Sequence, residues 1–267
     1  MALETTTIVA VFAHPDDEGS VAGTLARQAR IGRVAGVCAT RGELGEISDP
    51  GLATPDNLGE VREGELRRAY AELGVDDVRF LDYRDSGMDG TEGNKDPRAF
   101  MNADPNEAAG KIAAILREVG PALVITFEET GGYGHPDHLA VHRVTTDAFK
   151  LAGRHGRLLY AGFPRALMLE LFGRAKDAGV DVGFFSELDI TKLGLPDEAI
   201  DFVIDTSEMR EQKQAAFRQH KTQFSEDEGI FSRFPDDVRE RFFAREYYQF
   251  ADGKPYNGPK PGDDLFA

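Results

Sequence analysis

One cysteine, Cys38, in 267 residues rules out an intramolecular disulfide and a cysteine-built zinc site. It lies in the apolar run Val34–Ala39 and reads as a buried, unreactive strand residue. Positive charge is scarce as well. Only 31 Lys and Arg stand against 47 Asp and Glu, a net charge of −16. That balance argues against a nucleic-acid backbone or an anionic membrane as partner. It also disfavours strongly anionic substrates, apart from any local exception made by Arg62 and Arg84. No apolar run reaches the roughly 18 residues of a membrane span, and residues 1–7 carry no basic, apolar leader pattern. The expected location is the cytoplasm. Repeats, low-complexity tracts and linkers are missing too, so one domain over residues 1–267 is expected. Its core would be residues 7–153, with 154–267 completing the fold and the pocket. The Phe-rich tail (Phe231, Phe234, Phe242, Phe243) is either core cover or a surface for self-association.

What is present is a regular alternation of strand and helix. Thr7–Phe12, Arg33–Ala39, Val78–Leu81 and Ala122–Phe127 read as strands. Gly19–Arg30, Leu58–Leu73, Asn106–Val119 and Pro136–Leu151 read as the helices between and after them. Gly74 and the Gly120-Pro121 pair supply stops. This alternation implies an α/β fold with a mostly parallel sheet and right-handed crossovers. Three long loops, Thr40–Asn57, Asp82–Pro105 and Glu128–Gly134, all follow strands. They therefore share the edge at the strands' carboxyl ends, where a site is expected. Further on, Arg157–Gly162 and Ile200–Ile204 read as strands and Pro164–Ala178 as a helix. Gly179–Pro196 reads as loop. Thr206 or Ser207 is expected to cap a helix running to about His220. From Ser225 no period is legible, and from Asp252 the chain is Gly/Pro-rich.

The chemistry is concentrated in two stretches. Val9–Glu18, VAVFAHPDDE, is an apolar strand that ends in a polar cluster and passes into a helix. His14 and Asp17, three apart at that turn, can face one point, with Asp16 between them aimed elsewhere. Gly131–His138, GGYGHPDH, brings His138 from a second strand-to-helix turn. Two His and one carboxylate, with the fourth position left to water, is the ligand set of a catalytic zinc site. A spare carboxylate is what metal-assisted hydrolysis needs for a base. One of Asp16 and Asp17 could instead cap the next helix. His142, four residues beyond His138, competes as a ligand. Asp137 is placed either to orient a histidine or to cap the helix begun by Pro136. An acidic turn after the first strand excludes a phosphate-binding nucleotide fold. Arg41, Glu43 and Arg67 read as surface charges.

These two motifs resemble those of the LmbE/PIG-L-like superfamily of metal-dependent N-acetylglucosaminyl deacetylases. The likeness extends to TRGELGE (Thr40–Glu46), REGEL (Arg62–Leu66) and RDSGM (Arg84–Met88). It is closest to the branch that acts on the mycothiol precursor or on mycothiol conjugates. It covers residues 7–153, with an echo at Lys213–Gln223, KQAAFRQHKTQ. The resemblance implies a Rossmann-like three-layer fold with the active site at the carboxyl ends of the strands. It implies one Zn²⁺ per chain, or Fe²⁺, held by His14, Asp17 and His138. Asp16 would be the general base, protonated His135 would stand near the oxyanion or leaving amine, and Tyr133 would close on the reacting carbonyl. Glu46, Arg62 and Asp85 would hold the sugar. The expected reaction is hydrolysis of the acetamide of an N-acetylglucosamine-containing small molecule, releasing acetate and amine. A lysine that some mycothiol enzymes carry near Gly19–Val21 is missing, which leaves the aglycone open. Cleavage of a larger thiol-conjugate amide, or metal binding without turnover, are the other readings.

Overall fold

The computed structural model describes residues 6–177, 179, 193–224 and 236–251. Five strands run parallel: β1 (Thr7–Phe12), β2 (Arg33–Cys38), β3 (Asp77–Phe80), β4 (Leu123–Phe127) and β5 (Arg157–Ala161). β1 pairs with β2 on one side and β4 on the other, so Ile8 lies between Val34 and Leu123. β6 (Phe202–Asp205) and β7 (Arg245–Phe250) complete a seven-stranded sheet in the order β3-β2-β1-β4-β5-β7-β6.

β4 is buried at every position and β1 at all but its first residue, because helices cover both faces of the sheet. α1 (Ala22–Ala29), α2 (Leu58–Glu72) and α7 (Arg210–Phe217) pack together, and α3 (Pro105–Val119) packs on α5 (Pro136–Leu151). This is the expected three-layer, Rossmann-like α/β arrangement. Truncating a fully buried residue such as Leu25 or Ile125 to Ala would cost roughly 2–5 kcal/mol. α3 starts where Pro105 presets the backbone and Asp104 accepts from the Asn106 amide; it stops at Gly120, whose φ of 64° suits a residue without Cβ.

The strand order places the site. From β1 the chain builds outward through β2 to β3, then crosses back so that β4 lies on the other side of β1. Such a reversal opens a crevice at the carboxyl ends of the two strands. His14 follows β1 and His138 follows β4, so the fold brings both histidines to one crevice.

Three stretches differ from the sequence expectation. The single helix over Gly19–Arg30 is a 3-10 turn (Asp17–Ser20) followed by α1, broken at Val21 where φ is −133°. Neither Thr206 nor Ser207 caps a helix by its side chain; the Ser207 amide donates to Asp205, and α7 ends at Phe217, short of His220. Where no period was legible, α8 (Asp236–Ala244) leads into β7, which runs antiparallel between β5 and β6. α6 (Arg165–Asp177) falls where a helix was expected. Most of the Gly179–Pro196 loop, Phe231, Phe234 and the stretch from Asp252 lie outside the described residues. Among the described residues no helix is long and apolar enough to cross a membrane.

Candidate metal centre and active site

The turn after β1 folds back on itself. Asp17 Oδ2 accepts the Ala13 and His14 amides at 3.1 and 2.8 Å, leaving Oδ1 3.2 Å from His138 Nε2. His14 Nδ1 lies 3.1 Å from His138 Nε2 and 3.7 Å from Asp17 Oδ2. His14 and His138 are buried, and the Asp17 side chain is 7% exposed.

Each ring has its outer nitrogen engaged. His138 Nδ1 donates to the Gly131 carbonyl at 2.9 Å, and its ring stacks on Phe127. His14 Nε2 donates to Asp137 at 3.2 Å, with Asp85 at 3.5 Å. These outer partners assign the tautomers and turn both inner lone pairs toward each other and toward Asp17 Oδ1. Facing lone pairs repel unless a proton or a cation stands between them. Ligand atoms around a four-coordinate ion bound at about 2.0–2.2 Å lie roughly 3.3–3.5 Å apart, close to the spacing of the two inner nitrogens, while Asp17 presents Oδ1 to His138 and Oδ2 to His14. Donors of His14, His135 and His138 also lie within 4.8 Å of one another, as do those of His14, Asp85 and Asp137. Asp85 and Asp137 sit at the outer nitrogen of His14 and accept backbone amides as well.

Electrostatics agree with a cation site. Burial opposes charge on His14, but Asp85, Asp137 and Asp17 outweigh it and raise its pKa well above the usual value. Burial works against ionised Asp17 and Asp85 too; neighbouring histidines and hydrogen bonds overcome it and hold both far below the carboxylate range. In the protein without a cation, a proton on His14 answers this negative field.

Asp16 is built differently. Its φ of 111° lies in a region that non-glycine residues rarely occupy. Its carboxylate meets Arg62 Nη2 at 3.2 Å. Burial pushes its pKa up to about 6, with Arg62 opposing and Asp17 and Glu18 adding to the rise. A carboxyl raised in this way accepts a proton more readily than an ordinary aspartate.

His135 caps α5. Its Nδ1 accepts the Asp137 amide at 3.1 Å, which leaves Nε2 to carry the proton of the neutral ring. Burial, first, and the neighbouring rings of His14 and His138 lower its pKa to about 2. This environment favours the neutral ring, with Nε2–H as its donor, over the protonated His135 that the resemblance implies. Tyr133 lies edge-on to His138, centroids 5.0 Å apart, in the glycine-rich turn α4 (Gly131–Gly134). At Gly131, φ is +61° and an added Cβ would come within 2.4 Å of His138 Cβ, so no other residue fits.

The remaining predicted residues divide. Asp85 and Arg62 are each 3% exposed and face inward. Asp85 accepts the Leu44 and Gly87 amides behind His14. Arg62 spans the Gly42 carbonyl, the Pro15 carbonyl and Asp16. Glu46 is exposed, and its carbonyl accepts from Gln223. His142 turns away to the Phe127 carbonyl and the Tyr160 ring, which removes it as a ligand. Arg41, Glu43 and Arg84 help line a groove of about 420 Å³, joined to the centre where Glu43 accepts the Asp85 amide. Sequence reasoning missed Ser86, which donates to Asp137 from both its amide and its hydroxyl. It also missed Glu18, buried against His220. The RDSGM and HKTQ motifs carried both signals, but nothing local to them named the partner.

A mostly parallel sheet opening at its switch point onto a buried cluster able to hold a metal defines the class: a Rossmann-like protein with a candidate metal site. Comparison with known proteins names the family. Residues 9–149 match PIG-L, described as GlcNAc-PI de-N-acetylase. The chain is 42% identical over 275 residues to a 1D-myo-inositol 2-acetamido-2-deoxy-alpha-D-glucopyranoside deacetylase of Acidothermus cellulolyticus, covering 97% of this chain and 94% of that one. It is 40% identical over 283 residues to the protein of that name from Thermobifida fusca, covering 97% and 98%. In fold it is similar to the conserved protein TT1542 from Thermus thermophilus, with a TM-score of 0.61 at 23% identity, covering 96% and 99%. The chain belongs to the PIG-L family.

Proposed function

We propose that this protein is a metal-dependent N-deacetylase acting on an N-acetylglucosamine glycoside with a small polyhydroxylated aglycone of the inositol type. The observation that carries the reading is the convergence of two imidazole lone pairs and a carboxylate beside a separately held aspartate of raised pKa. The named relatives support the substrate class, and the charged lining of the neighbouring groove suits hydroxyl groups.

His14, Asp17 and His138 are the ligands in this reading, one cation per chain. Two imidazoles and a carboxylate suit zinc and ferrous iron alike, and zinc is the ion we adopt. When bound, the cation polarises the acetamide carbonyl and acidifies a water. Asp16 takes the proton of the attacking water, its carboxylate aimed by Arg62. Tyr133 and the Nε2–H of His135 donate to the oxygen on which negative charge develops. Asp16 returns its proton to the nitrogen as the C–N bond breaks, releasing acetate and a free amine. Arg62 and Asp85 serve the sugar indirectly, by fixing Asp16 and His14. Glu46, on the exposed loop, is the residue of the three free to reach a sugar hydroxyl. One domain is part of the same reading, supported by the insertion of β7 into the sheet. So is a cytoplasmic location, consistent with a lone buried thiol.

The test is amine release from free N-acetylglucosamine, its inositol-linked form and a thiol-conjugate amide, with Zn²⁺ restored after chelation. The inositol-linked sugar should react fastest. Silence on both sugars with turnover of the conjugate would replace the deacetylase reading by an amidase.

A further inference from the structure

The His220–Gln223 stretch, HKTQ, takes no part in the chemistry above, yet it is tied to the site from several directions. The Thr222 amide and hydroxyl both donate to Glu65 of α2, at 2.9 and 2.6 Å. The Ser48 amide donates to the Thr222 carbonyl at 2.8 Å, and Gln223 donates to the Glu46 carbonyl at 2.8 Å. These anchors fix His220, 1% exposed, against Glu18, 2% exposed, with Nε2 2.5 Å from Oε1. The second oxygen of Glu18 accepts the Asp16 amide at 3.0 Å.

That amide belongs to a residue whose φ is 111°. A side-chain-bearing residue holds such a conformation only where its surroundings over-determine it. Arg62 grips the carboxylate of Asp16 from one side, and Glu18 grips its amide from the other. The metal-binding groups do not depend on this grip, because Asp17 is held by the Ala13 and His14 amides.

We propose that His220, acting through Glu18, is a positioning residue that keeps Asp16 in its left-handed backbone conformation and so keeps the base on the reacting water. The proposal rests on Asp16 being the base. Misplacing a catalytic group by about 1 Å can cost on the order of 100-fold. His220→Asn, too short to reach Glu18, should lower kcat roughly 10–100-fold with KM within about twofold. Cation stoichiometry and the absorption spectrum of the Co²⁺-substituted protein should not change. His220→Gln, which keeps an N–H donor at similar reach, should recover most of the loss. Beside Asp16→Asn, the His220→Asn penalty should vanish. Glu18→Ala, which removes the acceptor of the Asp16 amide, gives a second route: the same kcat loss, again absent beside Asp16→Asn. Full kcat in His220→Asn, an altered Co²⁺ spectrum, or a penalty that persists beside Asp16→Asn would each overturn the proposal. Normal turnover by Asp16→Asn alone would instead overturn the base assignment.

Discussion

Two buried ionic clusters lie within a few residues of the start of α1, and they follow opposite rules. In one, Glu246 of β7 accepts the Gly23 and Thr24 amides, the Lys213 ammonium at 2.7 Å and the Tyr248 hydroxyl. Every charge there has its counter-charge, and the cluster fastens the last strand to the first helix. In the other, His14, Asp17 and His138 turn like lone pairs toward one point, and Asp16 sits in a backbone conformation that costs energy. A fully satisfied buried pair stabilises a fold. An under-satisfied one is held in place by the rest of the fold and is available for a ligand or a proton.

The contrast breaks if the clusters respond alike to losing a charge. Asp16→Asn should lower kcat about 100–10,000-fold. It should change stability little, because relief of the disfavoured carboxylate is offset by leaving Arg62, 3% exposed, without its counter-charge. Glu246→Leu should do the reverse. It leaves the Lys213 ammonium, 3% exposed, without its partner and should cost about 3–5 kcal/mol in denaturant unfolding, with kcat per folded molecule unchanged. Ser86→Ala sharpens the comparison inside the site. It removes the hydroxyl donor that steadies Asp137 on His14 and should weaken cation binding roughly 10–100-fold, read by competition with a chelating dye.

The smallest effect expected is on pH dependence. Binding needs the His14 Nδ1 lone pair, and the cation-free protein keeps a proton on His14 to well above the usual pH. Each binding event then releases that proton. Below the raised pKa, affinity should fall by about tenfold per pH unit, with proton release visible by calorimetry in buffers of different ionisation heat. Affinity that stays flat across roughly pH 6–8, where an ordinary histidine titrates, would contradict the lone-pair assignment.

The site was legible where its geometry is local. His14 and Asp17 lie three apart at the end of an apolar strand, and Pro136 marks the helix that carries His138, so strand order alone brings them together. Burial was not legible. Arg62 and Asp85 were recognised by motif, but their burial against Asp16 and His14 was not. Glu18 and Glu246 were unreadable for another reason. Their partners His220 and Gly23 lie more than 200 residues away along the chain, and a lone carboxylate looks the same whether it meets water or a buried histidine. β7 was missed because its inward positions alternate Glu246 with Tyr248, and a charged residue facing the core hides the period of a strand.

The convergence of His14, Asp17 and His138 on one cation carries the proposed reaction. The most direct test is to titrate Zn²⁺ into chelated protein while following bound metal and amine release from the inositol-linked sugar together. Activity should rise in proportion to metal and stop at one ion per chain, and His138→Ala should abolish both. Full amine release by the chelated protein, or one tightly bound ion in His138→Ala with undiminished turnover, would contradict it.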